Sequence, residues 1–277
     1  MSSVDTLLMS EQDLINKNDE QVIPASSLRM QLCDLGVNEG DCLLAHTSLS
    51  KIGWIPNGAQ LMAEILIEAV GRTGLICVPT FCGQNTDPAN WSRPPVPQNW
   101  HDEIRNSMPA FHPDYTPSRK MGAINEVLRS MPGAVRGAHP RSSFAAIGEG
   151  AREMVEGFTL ESEFDDHSAL GKLYQKDAKV LFLGTGFANC TCFHLAEHRV
   201  GGLHRLPGGS AMAVNGKREW VAFVADDYCD DDFEEIGKAF ILNSKTLQTG
   251  KVGKAECRLF SFREAVDFAQ NWMIKNR

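Results

Sequence analysis

Short apolar runs alternate along this chain with stretches whose apolar residues recur every three or four positions, and the rhythm holds from about residue 21 to residue 277. The runs at 41–46, 75–81, 144–147 and 178–184 read as strands, followed by 212–214, 219–224 and 256–260. Helical periodicity marks 26–35, 58–70, 123–130, 151–157, 169–174, 191–200, 232–241 and 262–273. Elements in this order predict a layered α/β/α fold, a central sheet flanked by helices on both faces. The polar segment 1–20 reads as a tail or a short surface helix, which leaves 21–277 as one domain.

One region breaks the rhythm. From 82 to 120 the chain is polar and rich in proline, including Pro94, Pro95 and Pro97, with Trp91, Trp100 and Phe111 spaced through it. A long irregular stretch that carries its own aromatic anchors predicts a functional loop packed onto the body. No internal repeat is visible.

Composition narrows the partners. There are 27 basic and 35 acidic residues, a net charge of −8, and no Lys/Arg cluster. Nucleic acid and an anionic membrane surface are therefore poor partners, and a cationic small molecule is compatible. No apolar run approaches the roughly 20 residues that a membrane span needs, and the first ten residues lack the basic and apolar regions of a secretory signal. The eight cysteines are scattered; Cys190 and Cys192, the only close pair, do not have C-x-x-C spacing. Cys33, Cys42 and Cys77 fall in apolar contexts, where a thiol packs as a small hydrophobe. A reduced, cytoplasmic protein is expected, with homodimerisation left open.

The chemistry concentrates at 189–198, directly after an apolar run and a glycine turn. His194, Glu197 and His198 spell H-x-x-E-H, an inverted zinc-peptidase pattern that Glu234 or Glu235 could complete. Thr191, His194 and Glu197 instead put a hydroxyl, an imidazole and a carboxylate on one helix face, as proton transfer requires. A third reading makes His194 a packed structural histidine. For proton transfer a carboxylate must fix the imidazole tautomer, and Glu197, Asp226 and Asp227 are the candidates.

Other segments supply surroundings. Residues 45–53 place small hydroxyl residues after a strand, and Pro79-Thr-Phe81 ends the next strand at the same expected sheet edge, where open α/β sheets gather ligands. Gly184-Thr-Gly186 is followed by Asn189 where a dinucleotide-binding loop needs its third glycine, so a Rossmann site is poorly supported. His139 to Phe144 is either a ligand-facing loop or an ordinary turn. Ser168 is placed to cap the helix at 169, and the preceding Asp165 and Asp166 could also hold an ammonium group.

Read as a set, these segments resemble the aminoglycoside N(3)-acetyltransferase family. The resemblance is carried by His46 to Gly53, Gly71 to Phe81, Pro95 to Trp100, Met108 to Phe111, Thr116 to Gly122, His139 to Gly148, Ser168 to Tyr174, the T-x-x-H-x-x-E of Thr191 to Glu197, and Asp232 to Gly237. It implies an α/β/α fold distinct from the GNAT superfamily, whose phosphate loop this chain lacks. It also implies acetyl-CoA-dependent acetylation of the 3-amino group of a deoxystreptamine ring, with His194 as base and no metal. By the same resemblance Ser48, Leu49, Ser50, Thr80, Arg119, Met121, Gly122, Ser143 and Phe144 hold coenzyme A, with Arg119 or Lys120 facing phosphate. Asp165, Asp166, Asp226 and Asp227 hold the cationic acceptor. The chain departs from the family pattern at His167, Ala169 and Cys190, all near the expected acceptor site.

Overall fold

The computed structural model describes Asp13, Ile15, Asn16 and residues 21–277, so the segment expected over 1–20 lies almost wholly outside the described residues. The first part of the chain forms α1 (Ala25–Leu35), β1 (Cys42–Thr47), α2 (Leu49–Ile52), α3 (Gly58–Val70) and β2 (Leu75–Pro79). Then come α4 (His101–Ser107), α5 (Ala123–Ser130), β3 (Val135–Arg136), β4 (Phe144–Gly148), α6 (Ala151–Val155) and α7 (Ala169–Gln175). The remainder supplies β5 (Lys179–Leu183), α8 (Cys192–Val200), β6 (Arg205–Val214), β7 (Lys217–Asp226), α9 (Phe233–Asn243), β8 (Gln248–Val252), β9 (Ala255–Ser261) and α10 (Phe262–Asn276).

Among the described residues, seven strands form one mixed sheet in the order β3-β4-β2-β1-β5-β9-β8. The centre, β2-β1-β5, is parallel, and the flanking pairs are antiparallel. Side chains of a strand alternate between faces, and the core divides accordingly. Leu44, Val180 and Phe182 join one cluster with residues of α6 to α10. Leu43, Ala45, Leu181 and Leu183 join the other with α1, α3 and α5. Helices thus cover both faces, which is why β1, β2 and β5 read as continuous apolar runs. This is the α/β/α layering expected.

Several elements escaped the hydrophobic pattern. Strand β8 is an edge strand with only Val252 buried, so it carries almost no apolar signal. Helix α4 buries no residue and lies within the stretch expected to be irregular, with Asp102 and Glu103 in its first turn and Arg105 in its last, which favours the helix dipole. Strands β6 and β7 run ten residues each, well beyond the segments expected at 212–214 and 219–224. Asn215 and Gly216, both at positive φ, make the two-residue turn whose twist suits a long hairpin. Of the aromatic anchors, Phe111 is buried, Trp91 is half-buried, and Trp100 is exposed. Cys33 is also exposed, on the outer side of α1, rather than packed.

Two histidines are buried within this frame. His46 sits in β1 with its ring edge-on to Phe182, and burial holds its pKa down at about 3. His139 precedes β4 and accepts at Nδ1 from the Ser142 N–H at 2.9 Å, and burial holds it at about 4. An unfolded histidine titrates near 6.5. Below that pH the unfolded chain takes up two protons that the folded chain refuses. Stability is therefore complete above about pH 6.5 and falls between 6.5 and 4 by about 1.4 kcal/mol per pH unit for each histidine. His139→Asn, whose amide oxygen can replace Nδ1, should remove about half of that slope in urea melts run across this range. An unchanged slope would contradict the assignment.

Candidate active site

Strand β1 has β2 on one side and β5 on the other, and the chain fills the β2 side before crossing to β5. The crevice outside the carboxyl ends of these strands is the switch point where open sheets bind ligands. It holds a cleft of about 920 Å³. His46 to Ser50 line it from β1, Pro79 and Phe81 from β2, and Gly184 to Gly186 from β5. Buried Asn125 of α5 ties the strand ends together: its Oδ1 accepts from Thr47 Oγ1 at 3.0 Å and its Nδ2 donates to the Pro79 carbonyl at 3.2 Å. Gly122 reaches the wall at φ +91°, where a Cβ would lie 3.1 Å from the Thr47 carbonyl. A side chain here would be strained by the positive φ and crowded against the Thr47 carbonyl, which favours glycine.

Helix α8 delivers His194 to this cleft, with Glu197 buried behind it. Their spacing of three puts both on one face, and His194 Nδ1 lies 3.0 Å from Glu197 Oε2. The imidazole lies flat against Phe164, 4.8 Å between centroids and 7° between planes. Tyr228 stands edge-on at 5.5 Å and Phe233 lies at 4.8 Å. Glu197 is buried, with its other oxygen accepting from the Cys229 N–H at 2.9 Å and from Arg277 Nη1 at 2.7 Å. An imidazole that donates from Nδ1 to a carboxylate presents the Nε2 lone pair as its acceptor. His194, Thr191 and Asp230 line the cleft together. Thr191 is buried at the helix start without capping it, its hydroxyl 3.5 Å from the Asn189 carbonyl.

A second chamber of about 590 Å³ opens beside the first, and Phe81, Lys120 and Met121 line both. Its walls are the 82–120 segment and the β6–β7 hairpin. Asn90 Nδ2 donates to the Pro207 carbonyl at 2.9 Å, Ser210 Oγ to the Asn85 carbonyl at 2.6 Å, and the Phe111 N–H to the Ala211 carbonyl at 2.9 Å. Arg105 pairs with Asp87 at 2.8 Å. Asp226 and Asp227 face this chamber, as do Arg93, Arg119 and Arg141. The lining therefore carries both signs of charge.

The expected residues fall into three groups. Ser48, Leu49, Ser50, Met121 and Gly122 line the first cleft with Thr191 and His194. Arg119, Asp226 and Asp227 line the second chamber. The rest are engaged elsewhere. Thr80 and Ser143 are buried side by side, Oγ1 to Oγ 3.1 Å, beneath the guanidinium of Arg136. That buried arginine also donates to the Pro113 carbonyl and lies over the Phe111 ring, pinning the 82–120 segment. Phe144 is a core residue. Asp165 accepts from the His167 and Ser168 N–H groups at 2.9 Å, and Asp166 pairs with Arg199 at 2.5 Å. Ser168 caps α7 as expected, accepting from the Leu170 N–H.

The zinc reading finds no convergence: His198 turns Nδ1 to Ser162 Oγ at 3.0 Å while His194 turns Nδ1 to Glu197. Glu234 accepts from the Ala188 N–H. Among the described residues no three His, Cys, Asp or Glu side chains are grouped as a metal site. Cys190 and Cys192 lie buried with their sulfurs 3.4 Å apart, and burial pushes the Cys190 thiol up, away from nucleophilic thiolate. Sequence reasoning missed Asn125, the ring clamp of Phe164, Tyr228 and Phe233, and Arg277. Asn125 alone left a signal, an amide next to Ile124 on the buried side of α5.

Comparison with known proteins places the chain in a family. A family model described as aminoglycoside 3-N-acetyltransferase matches residues 44–274. The chain is 42% identical over 251 residues to the SPbeta prophage-derived aminoglycoside N(3')-acetyltransferase-like protein YokD of Bacillus subtilis (strain 168), covering 90% of this chain and 92% of that one. The YokD crystal structure superposes with a TM-score of 0.90, covering 94% and 98% of the two chains. Aminoglycoside N(3)-acetyltransferase IX of Micromonospora chalcea is 31% identical over 284 residues, 96% of this chain and 98% of that one. The room-temperature neutron and X-ray structure of sisomicin-bound AAC-VIa is 31% identical, with a TM-score of 0.83 and coverage of 93% and 100%.

The tie between strand ends can be tested without any substrate. Asn125→Leu leaves the Thr47 hydroxyl and the Pro79 carbonyl without their buried partner, and should lower unfolding free energy by about 1–3 kcal/mol in urea melts. A loss below about 0.5 kcal/mol, the usual range for a surface change, would mean that the strand ends do not depend on it.

Proposed function

The chain belongs to the aminoglycoside 3-N-acetyltransferase family, and we propose that it transfers an acetyl group from acetyl-CoA directly to a primary amine, with His194 as general base. The observation that carries this reading is the 3.0 Å contact of Glu197 with His194 Nδ1, in a ring that lines the cleft at the sheet's switch point. The acceptor belongs to the aminoglycoside class, at the 3-amino group of a deoxystreptamine ring or a closely related amine.

The parts divide by chamber. The larger cleft, with Ser48, Ser50 and Lys120 on its walls, suits the polar and anionic length of the coenzyme. The second chamber suits the acceptor, with Asp226 and Asp227 as ammonium partners. An alkylammonium has no lone pair, so it must lose a proton before nitrogen attacks the thioester carbon. His194 Nε2 takes that proton, and Glu197 holds the ring in the tautomer that can accept it. The C–N bond forms and the tetrahedral oxyanion passes by donors such as the Thr191 hydroxyl; as the C–S bond breaks, the nitrogen gives its second proton to the departing sulfur, coenzyme A leaves as the thiol, and the imidazolium returns its proton to solvent. No acyl-enzyme is needed, consistent with the buried thiols of Cys190 and Cys192.

Free thiol released from acetyl-CoA in the presence of sisomicin and other deoxystreptamine amines measures the reaction. His194→Ala should lower turnover by about 10²–10⁴-fold, the range for loss of a general base. A rate near that of the unaltered protein would remove His194 from the mechanism. Asp227→Asn should raise KM for the amine by about tenfold, the loss of one charge-assisted hydrogen bond, while KM for acetyl-CoA stays constant. If only the acetyl-CoA term moved, the division of the chambers would be reversed.

A further inference from the structure

Glu197 is the least exposed charge near the cleft, its side chain 2% accessible. One carboxylate oxygen serves His194, and the other receives Nη1 of Arg277 at 2.7 Å and the Cys229 N–H at 2.9 Å. The same guanidinium forks onto Asp232, Nε to Oδ2 at 2.8 Å and Nη2 to Oδ1 at 2.7 Å, and Nη2 also donates to the Cys229 carbonyl at 3.2 Å. Asp232 directly precedes α9, whose first residue, Phe233, lies 4.8 Å from the His194 ring. One side chain following α10 therefore grips both the carboxylate that orients the imidazole and the helix start that packs against it.

A buried carboxylate persists only when its charge is compensated. The planar guanidinium can serve two carboxylates at fixed angles, which an ammonium cannot. We propose that Arg277 is a positioning residue for the transfer: bridging Glu197 and Asp232, it fixes the Glu197 carboxylate against His194 Nδ1 and offsets part of its negative charge, leaving Nε2 to face the acceptor amine. This rests on His194 acting as the base. Other charged and titratable groups surround the pair. His198 follows on α8, and Tyr228, Cys229, Asp230 and Asp232 belong to the segment between β7 and α9. Glu163 and Asp165 flank Phe164. Apart from His194 itself, Arg277 is the only basic side chain paired with Glu197 among the described residues.

The two ends of the bridge make opposite predictions. Arg277→Met leaves Glu197 uncompensated, so the imidazolium is favoured and the titration midpoint of His194 moves to higher pH, by about half a pH unit to one. Asp232→Asn leaves the guanidinium wholly to Glu197, so the midpoint moves to lower pH. Long-range ¹H–¹⁵N spectra of the full chain with ¹⁵N-labelled histidine read both, with His194→Ala assigning the signal. The acidic limb of acetyl-CoA thiol release with sisomicin should shift with the midpoints. In Arg277→Met, kcat should fall about tenfold while KM for acetyl-CoA stays within about threefold, as expected when a positioning interaction rather than uniform binding is lost. Arg277→Lys should restore the midpoint more fully than kcat. Equal midpoints in the two variants, or shifts of the same sign, would overturn the proposal even if thermal stability fell. The NMR readout needs no acceptor, so absence of thiol release with every amine would defeat the proposed function and leave this test standing.

Discussion

Parallel pairing on both edges of β1 is the constraint from which the rest of the molecule follows. Parallel neighbours cannot be joined by a tight turn, so each crossover must travel over a face of the sheet, and helices come to cover both faces. The carboxyl ends of β2, β1 and β5 consequently open on one side, and their following residues, Phe81, Ser48 and Gly184, meet there without being close in sequence. The antiparallel strands β4 and β9 close the flanks of this centre, and β8 completes the edge through a hairpin with β9. A cleft at that position is a consequence of topology before any side chain is considered.

What the cleft can do depends on how charge is buried beside it. Glu197 is removed from water yet keeps three donors, His194, Cys229 and Arg277, so its desolvation is offset at each oxygen. The aromatic faces of Phe164, Tyr228 and Phe233 restrict the imidazole to the orientation that this carboxylate selects. Apolar walls and a compensated carboxylate act together: the walls make the electrostatic interaction stronger, and the compensation keeps it from costing the fold its stability. The buried Arg136 plays a corresponding part under the second chamber, where carbonyls and hydroxyls rather than a carboxylate satisfy it. Two desolvated charges, each fully partnered, thus hold the two halves of the cleft.

Much of this was legible in the sequence because it is locally encoded. The apolar runs of β1, β2 and β5, the periodicity of α3 and α5, and the i,i+3 spacing of His194 and Glu197 are all short-range patterns, and each appears where expected. The elements that escaped are those whose stability is borrowed. Polar β8 exists because β9 pairs with it, and α4 exists because Asp87 and the surrounding loop hold Arg105. The Asn215-Gly216 pair is a local signal for the hairpin turn, while the length of the hairpin is hidden because β6 begins with exposed residues, Pro207 among them, followed by Gly208. Thr80 and Ser143 look ligand-facing in sequence, since hydroxyls at strand ends often are, but a buried arginine from β3 claims them.

The same division explains why the dyad's spacing is visible and its control is not. Three residues of helix suffice to bring an imidazole and a carboxylate together, and that geometry would form in almost any helix. The partners of the other carboxylate oxygen come from elsewhere in the chain, the Cys229 N–H and the guanidinium of Arg277, which is 80 positions away. Helix α10 can bring that residue to Glu197 only after it has packed on α8 through the shared core of Phe193, Phe262 and Met273. The geometry of the dyad is therefore completed by tertiary docking rather than by the motif. A sequence that keeps T-x-x-H-x-x-E but loses the guanidinium would retain the site's appearance and forfeit its electrostatic balance.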